Sequence, residues 1–406
     1  MVITLQQDLR KTPTKFNLPE NPKPYADKYF DRTKQILEAE KINPFVRAQI
    51  MIRKGPGKVY GINEALAILD KYGDIFRKDG RVWTLREGAN YEPRETLMFI
   101  EARIQDIVDL ETMYLGVLAA ETTKKNDKHW IDLDLVTKNM AAVVQAAKGR
   151  PVMYFGARHW RFDEDAAIAR AAFKGGATDA STDAGAATAG KKGMGTTPHV
   201  LENIMAYTYG YERAVPEAMK AFDRVIDKNV PRIILCDYRN HEIEDALATA
   251  RALKGRLAGV RIDTCGENVG QGALGQADLQ KLEELTGKNI KVPTEDEKYW
   301  FGNGVTVTGA YAMRKALDEN GFKDVRVTLS SGFAEAKKVE AFVRAEELLE
   351  TNLFANLGVG QVFKSRASKM DIVAVGESLR SLIPIAKAGR GYKPNTRLEL
   401  RLGVEA

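Results

Sequence analysis

Between residues 131 and 361, short apolar runs alternate with segments of helical period, and this alternation limits the fold more than any other feature of the chain. Runs at 151–156, 177–181, 193–197, 232–236, 258–262, 325–329 and 353–358 read as strands. Helical patterns occupy 135–147, 164–173, 199–209, 216–227, 242–253, 309–319 and 335–350; in 242–253 the stripe is Ile243, Ala246, Leu247, Ala250 and Leu253. Seven strands with mostly short connections call for a parallel sheet, since parallel neighbours need a crossover between them. No glycine-rich turn follows the first strand, as it would in an open dinucleotide-binding sheet. The expected architecture is therefore an α/β barrel of seven strands over 119–361, with 266–308 as a Gly- and Lys-rich insertion.

Residues 1–118 lack that alternation. A helix is expected over 27–40 with Phe30, Ile36 and Leu37 inward, a strand over 45–52, a helix over 63–72 capped by Asn63, and a strand over 81–88. Pro93 is read as opening a helix that continues apolar through 96–119. Strand and helix mixed in this way suggest an α+β domain, completed by the β-like runs MDIVAV and RLELRL of segment 362–406.

The segment 174–199, KGGATDASTDAGAATAGKKGMGTTPH, holds six glycines and almost no large apolar side chain. Its composition is that of a linker. Its place inside the alternation argues for two short strands with their turns, where small residues let the backbone approach a ligand.

Composition removes several function classes. No apolar run approaches the roughly 20 residues that cross a bilayer. The N-terminus has no signal-peptide core, so the cytoplasm is the expected location. Cys236 and Cys265 are too few for a disulfide framework or a four-thiolate site and read as packing thiols. The net charge of +6 is spread among acids with no Lys/Arg run longer than two, which gives nucleic acid no motif to bind.

In a barrel of this kind the chemistry collects at the C-terminal ends of the strands. Those ends carry Phe155, Gly156, Arg158 and His159; Asp179 and Ser181; Thr196, Thr197 and His199; Asp237; Arg261 and Asp263; Ser330, Ser331 and Gly332; and Gly358 and Gly360. Such a rim suits a charged ligand with many oxygens. Ser330, Ser331 and Gly332 precede a helix whose free N–H groups favour phosphate, although helix capping by Ser331 explains the same pattern. Asp237 and Asp263 suit a divalent cation or a ribose diol. Asp237 as a helix cap and Asp263 as an intrastrand partner of Arg261 are the competing readings. His129 and His241 read as surface or capping residues. His199 starts a helix, where the dipole favours a neutral, nucleophilic imidazole.

The order of motifs, DKYF and RT, YFGARH, GTTPH, CDY, VRIDT, SSGF, LGVG, DIVAV and KAGR, resembles the nicotinate phosphoribosyltransferase family, with the pattern nearest its archaeal-type branch. The resemblance implies a type II phosphoribosyltransferase fold, an N-terminal α/β sandwich domain plus an irregular seven-stranded α/β barrel. It further implies a homodimer or higher homo-oligomer whose sites borrow the partner's N-terminal domain. By position, Tyr29 and Phe155 would sandwich the pyridine ring and Arg158 would take its carboxylate. Arg261, Asp263 and Asp237 would contact phosphoribosyl pyrophosphate, the two aspartates near Mg²⁺. Ser330, Ser331, Gly332, Gly358 and Gly360 would hold the 5′-phosphate, and His199 would be the histidine phosphorylated where ATP is coupled. Arg158-His159 stands where the family has paired arginines, and Thr264-Cys265 replaces a Ser-Gly.

The implied activity is synthesis of nicotinate mononucleotide and pyrophosphate, with nicotinamide or quinolinate as alternative acceptors and a non-catalytic phosphate-ligand binder as the alternative class. Asp179, with Ser181 in the ring pocket, is expected to choose the ring substituent. Quinolinate is disfavoured because its second carboxylate needs further cations.

Overall fold

The computed structural model describes residues 16–75 and 77–403. Helix α1 (Lys28–Ala39) leads into strand β1 (Phe45–Ile52), helix α2 (Ile62–Gly73), and strands β2 (Arg81–Thr84) and β3 (Thr96–Arg103). Helix α3 (Glu111–Asp127) and helix α4 (Leu133–Ala146) follow. The expected helix over 96–119 is thus a strand, a short turn and then a helix. Leu97, Met98, Phe99 and Ile100 are all buried. A strand covered on both faces is apolar at every position, and periodicity cannot tell it from a buried helix. At α2 the cap is also different: Gly61 holds the capping position in a left-handed conformation, and the Glu87 carboxylate accepts from Gly61 and Asn63 backbone N–H.

The parallel region then runs β4 (Val152–Tyr154), α5 (Asp165–Lys174), β5 (Asp179–Ala180), α6 (His199–Tyr209), α7 (Ala214–Val225), β6 (Ile233–Leu235), α8 (Glu242–Leu253), β7 (Gly259–Ile262), α9 (Val307–Glu319), β8 (Arg326–Leu329), α10 (Ala336–Leu349) and β9 (Asn356–Val359). The chain closes with β10 (Ser368–Gly376), β11 (Ile383–Pro384) and β12 (Glu399–Leu402). Side-chain caps match the helix starts: Asp132 accepts from Asp134 and Leu135 N–H before α4, and Thr306 from Gly309 N–H before α9.

Two sheets result. One is parallel, in the order β5-β4-β9-β8-β7-β6; the other is antiparallel, in the order β11-β10-β1-β3-β2-β12. In the second, β1 lies between β10 and β3, so the chain's end is built into its beginning.

The parallel sheet has six strands where seven are expected. The segment 193–197 does not join as a strand. It touches both edges at single points: Met194 N–H donates to Ala180 O at 2.9 Å, and Leu235 N–H donates to Thr197 Oγ1 at 3.0 Å. One segment reaching both edge strands means that the sheet curls round on itself. A Cβ at Gly195 would lie 2.8 Å from Tyr29 N, so this segment is pressed against α1 and has no room to make a regular ladder.

Helix α3 is buried nearly all round and fixes the turn that follows β4. A Cβ at Gly116 would come 2.1 Å from the Trp160 carbonyl oxygen. Gly116→Ala is expected to lower stability by about 1–3 kcal/mol, read as a shift of the urea midpoint, because neither backbone can give way alone.

Candidate active site

A cavity of about 590 Å³ opens between the two sheets. One wall is the C-terminal rim of the parallel sheet, with Phe155, Arg158, His159, Arg261, Asp263, Ser330, Ser331, Gly332, Gly358 and Gly360, joined by His199 from α6. The other comes from the remaining half of the molecule: Tyr29, Arg53, Lys54, Glu111, Lys369, Asp371, Lys387 and Arg390. Tyr29 reaches the cavity from the same chain as Phe155.

Asp179 and Ser181 do not line this cavity. The Asp179 carboxylate faces Lys191 at 3.5 Å, and Ser181 is buried, its backbone carbonyl accepting from Lys28 N–H at 2.7 Å. Asp237 lies one layer behind the wall.

That layer is the electrostatic centre of the site. Asp237 is fully buried, with Oδ1 2.7 Å from His199 Nε2 and Oδ2 2.7 Å from Lys387 Nζ. Burial by itself would raise its pKa, but His199 and Lys387 hold it well below the usual carboxylate range. Burial lowers His199 against the opposing pull of Asp237. The consistent state is an ionised Asp237 paired with a charged Lys387, and a neutral His199 that donates Nε2–H and keeps its Nδ1 lone pair.

Arg261 and Asp263 pair at 3.3 Å within β7 and its end. Arg261 also donates to Ser330 Oγ at 2.9 Å and Thr196 Oγ1 at 3.0 Å, and Ser330 Oγ donates to Asp263 at 2.6 Å. Burial opposes ionisation of Asp263, yet Arg261 and Ser330 bring its pKa below the ordinary value.

At the ring end, Arg158 donates to the Tyr29 hydroxyl, which in turn donates to Asp27 Oδ2 at 3.3 Å. The Arg261 guanidinium lies 5.6 Å from the centre of the Phe155 ring. The glycines of LGVG make room for side chains: a Cβ at Gly358 would be 2.7 Å from the Phe155 ring, and one at Gly360 would be 2.7 Å from His159 Cε1. Close approach of a ligand is not what requires them. The backbone at SSGF is the reverse case, with Ser331 at φ 66° and Gly332 at φ 85°, two left-handed residues in succession before α10. A serine held there stores strain of about 1–3 kcal/mol, a common property of ligand loops.

Apart from Tyr29, sequence reasoning missed the side chains of the second wall. Among the described residues, Lys369 is the one lysine or arginine lining the cavity with no carboxylate within 4.0 Å; Arg53, Lys54, Arg158, Arg261, Lys387 and Arg390 all have one. Burial, with Arg53 and Arg390 nearby, brings its pKa down to about 8. The signal was present in SKMDIVAV, where Lys369 and Asp371 share one face of an otherwise apolar strand.

A resident divalent cation does not fit these donors. Asp237 is buried behind the wall against His199 and Lys387, which leaves Asp263, itself paired with Arg261 and Ser330, as the one of the two that faces the cavity. No group of three or more His, Cys, Asp or Glu suited to a metal occurs among the described residues. Cys236 and Cys265 are both free and buried. Among the described residues, no helix is long and apolar enough to cross a membrane.

Asp237→Asn leaves the Lys387 ammonium buried without its counter-charge, at an expected cost of about 3–5 kcal/mol near pH 7. Because the folded-state pKa of Asp237 is depressed, the wild-type advantage should be complete above the unfolded value of about 4 and shrink as pH falls below it. Urea unfolding of both proteins between pH 7 and pH 3 checks the sign.

Residues 27–121 match the family described as quinolinate phosphoribosyl transferase, N-terminal domain. No curated protein matches the chain. Among solved structures, the chain is similar to nicotinate phosphoribosyltransferase from Porphyromonas gingivalis (13% identity, 90% of this chain and 94% of that one, TM-score 0.58). It is similar also to nicotinate phosphoribosyltransferase from Vibrio cholerae (12% identity, 90% of this chain and 87% of that one, TM-score 0.58). The chain has the fold of the nicotinate phosphoribosyltransferases, and its residues 27–121 resemble the N-terminal domain of the quinolinate phosphoribosyl transferases.

Proposed function

We propose that the protein transfers the phosphoribosyl group of phosphoribosyl pyrophosphate to nicotinate, forming nicotinate mononucleotide and pyrophosphate for NAD biosynthesis. The observation that carries this reading is the pairing, in one cavity, of an arginine set among aromatic rings with a strained hydroxyl loop facing an excess of cations. Arg158 takes the pyridine carboxylate, with Tyr29 and Phe155 beside the ring. The turn Ser330-Ser331-Gly332, which precedes α10 and its capping residue Glu335, takes the 5′-phosphate.

In the reaction the bond from C1 of the ribose to the pyrophosphate oxygen breaks, and a bond from C1 to the pyridine nitrogen forms. The nitrogen already carries its lone pair, so no residue has to remove a proton. The ionised Asp263 favours positive charge developing on the ribose, while Lys369, Arg53 and Arg390 favour negative charge on the departing pyrophosphate. Mg²⁺ belongs on this reading with the incoming pyrophosphate, since the carboxylates of the chain are already engaged. ATP is a co-substrate in the same proposal. A neutral His199 whose Nε2–H is held by Asp237 keeps Nδ1 as a nucleophile toward a phosphoryl group. The proposed assembly is a homodimer or larger homo-oligomer, and the proposed setting is the cytoplasm.

Lys369 bears on the acceptor. Its unpaired ammonium suits pyrophosphate, but it would equally meet the second carboxylate of quinolinate. Incubation with phosphoribosyl pyrophosphate, Mg²⁺ and each of nicotinate, nicotinamide and quinolinate, with and without ATP, tests the reading. Pyrophosphate release with nicotinate is expected, and release with none of the three overturns it. Arg158→Ala should raise the nicotinate KM by about 10- to 100-fold, equivalent to a charged hydrogen bond of about 1.5–3 kcal/mol. Lys369→Met should raise the KM for phosphoribosyl pyrophosphate by about tenfold with little change for nicotinate, as expected for loss of one charge-assisted contact.

A further inference from the structure

The ring end of the cavity contains a carboxyl group that the proposed chemistry does not use. Glu111, the first residue of α3, lines the cavity and is only 4% exposed. Its Oε1 is 3.9 Å from Arg158 Nη1, too far for a hydrogen bond, and its Oε2 is buried with no hydrogen-bond partner among the described residues. The elements packed around it supply one cation and several acids or phenols: Arg158 from the turn after β4, Asp27 and Tyr29 at α1, Asp371 on β10, and Tyr114 on its own helix. Lys369, also on β10, faces the same cavity.

An ionised carboxylate so close to Arg158 would cancel the charge that a pyridine carboxylate needs. A protonated one leaves that charge intact and offers an O–H to the incoming anion. Burial, reinforced by Asp27 and Asp371 and opposed by Arg158, pushes Glu111 up to about 8.

We propose that Glu111, rather than Asp179, is the residue that discriminates between an acid and an amide on the ring, acting through whether its own proton is present beside Arg158. This rests on the phosphoribosyl-transfer reading. Below about pH 8 Glu111 is protonated, Arg158 is free to pair with nicotinate, and the acid is preferred. Above it Glu111 ionises, competes for Arg158 and repels the nicotinate carboxylate. Nicotinamide carries no charge to repel, and its amide N–H can donate to the ionised Glu111. Acid binding above pH 8 therefore takes up one proton, and amide binding takes up none.

The test is the KM for nicotinate and for nicotinamide between pH 7 and 9.5 at saturating phosphoribosyl pyrophosphate, for wild type and Glu111→Gln. In the wild type the nicotinate KM is expected to rise about tenfold per pH unit above 8, the slope of a single titrating group, while that for nicotinamide stays flat or falls. In Glu111→Gln the rise should vanish. A nicotinate KM that is flat in the wild type, or a rise that persists in Glu111→Gln, overturns the proposal. The second result would assign the titration to Lys369, which the variant keeps. Should Glu111→Gln fail to fold, judged by its thermal transition, Lys369→Met takes its place: the nicotinate rise is expected to persist there, and its loss overturns the proposal. Turnover with a flat profile sinks this inference alone; no turnover with any pyridine sinks the functional reading with it.

Discussion

The ion pair between Asp237 and Lys387 is the interaction on which the rest of the arrangement depends. A carboxylate with no exposure is tolerated only with full compensation, and here the compensation comes from two distant parts of the chain. His199 arrives on α6, and Lys387 arrives on the segment that follows β11. Lys387 also donates to the Asp237 backbone carbonyl at 2.7 Å, so this contact joins the rim of the parallel sheet to the C-terminal return. Disrupting it would free the segment that brings Lys387 and Arg390 to the second wall. It also fixes the imidazole tautomer, so a structural ion pair and a candidate nucleophile share one carboxylate.

Around that centre the glycine-rich segment has a definite role. Its backbone is pressed against α1, and its threonines support the wall: Thr196 accepts from Arg261, and Thr197 accepts from the backbone of β6. The small residues let α1 and both edge strands crowd in, which is how Tyr29 comes to the same cavity as Phe155. Gly358 and Gly360 act similarly, clearing space for Phe155 and His159. In each case glycine admits a neighbouring part of the protein where a ligand had been the simpler expectation.

Much of the parallel region was legible because its strands and helices are local. The expected helices over 199–209 and 242–253 coincide with α6 and α8, and the other expected helices shift by a few residues at their ends. Strand-end reasoning found the rim residues because a parallel sheet places all its C-terminal ends together, whatever the sequence between them. It failed for Asp179, whose strand is only two residues long at the sheet's edge, so that its side chain turns to Lys191. It failed also for 96–119, where a strand buried on both faces hides its own period.

By itself the sequence determined the class of fold, the strand ends that carry charge, and a resemblance resting on ordered motifs. These follow from local periodicity and from the polarity of short segments. Only the tertiary structure decided that Glu111, Lys369, Lys387 and Arg390 belong to the site. Each lies in a segment whose local pattern is that of core helix, sheet or surface loop. Their chemistry arises when β10 and the final segment fold back across the cavity, because the state of a buried charge depends on the partners that long-range packing brings within a few ångströms.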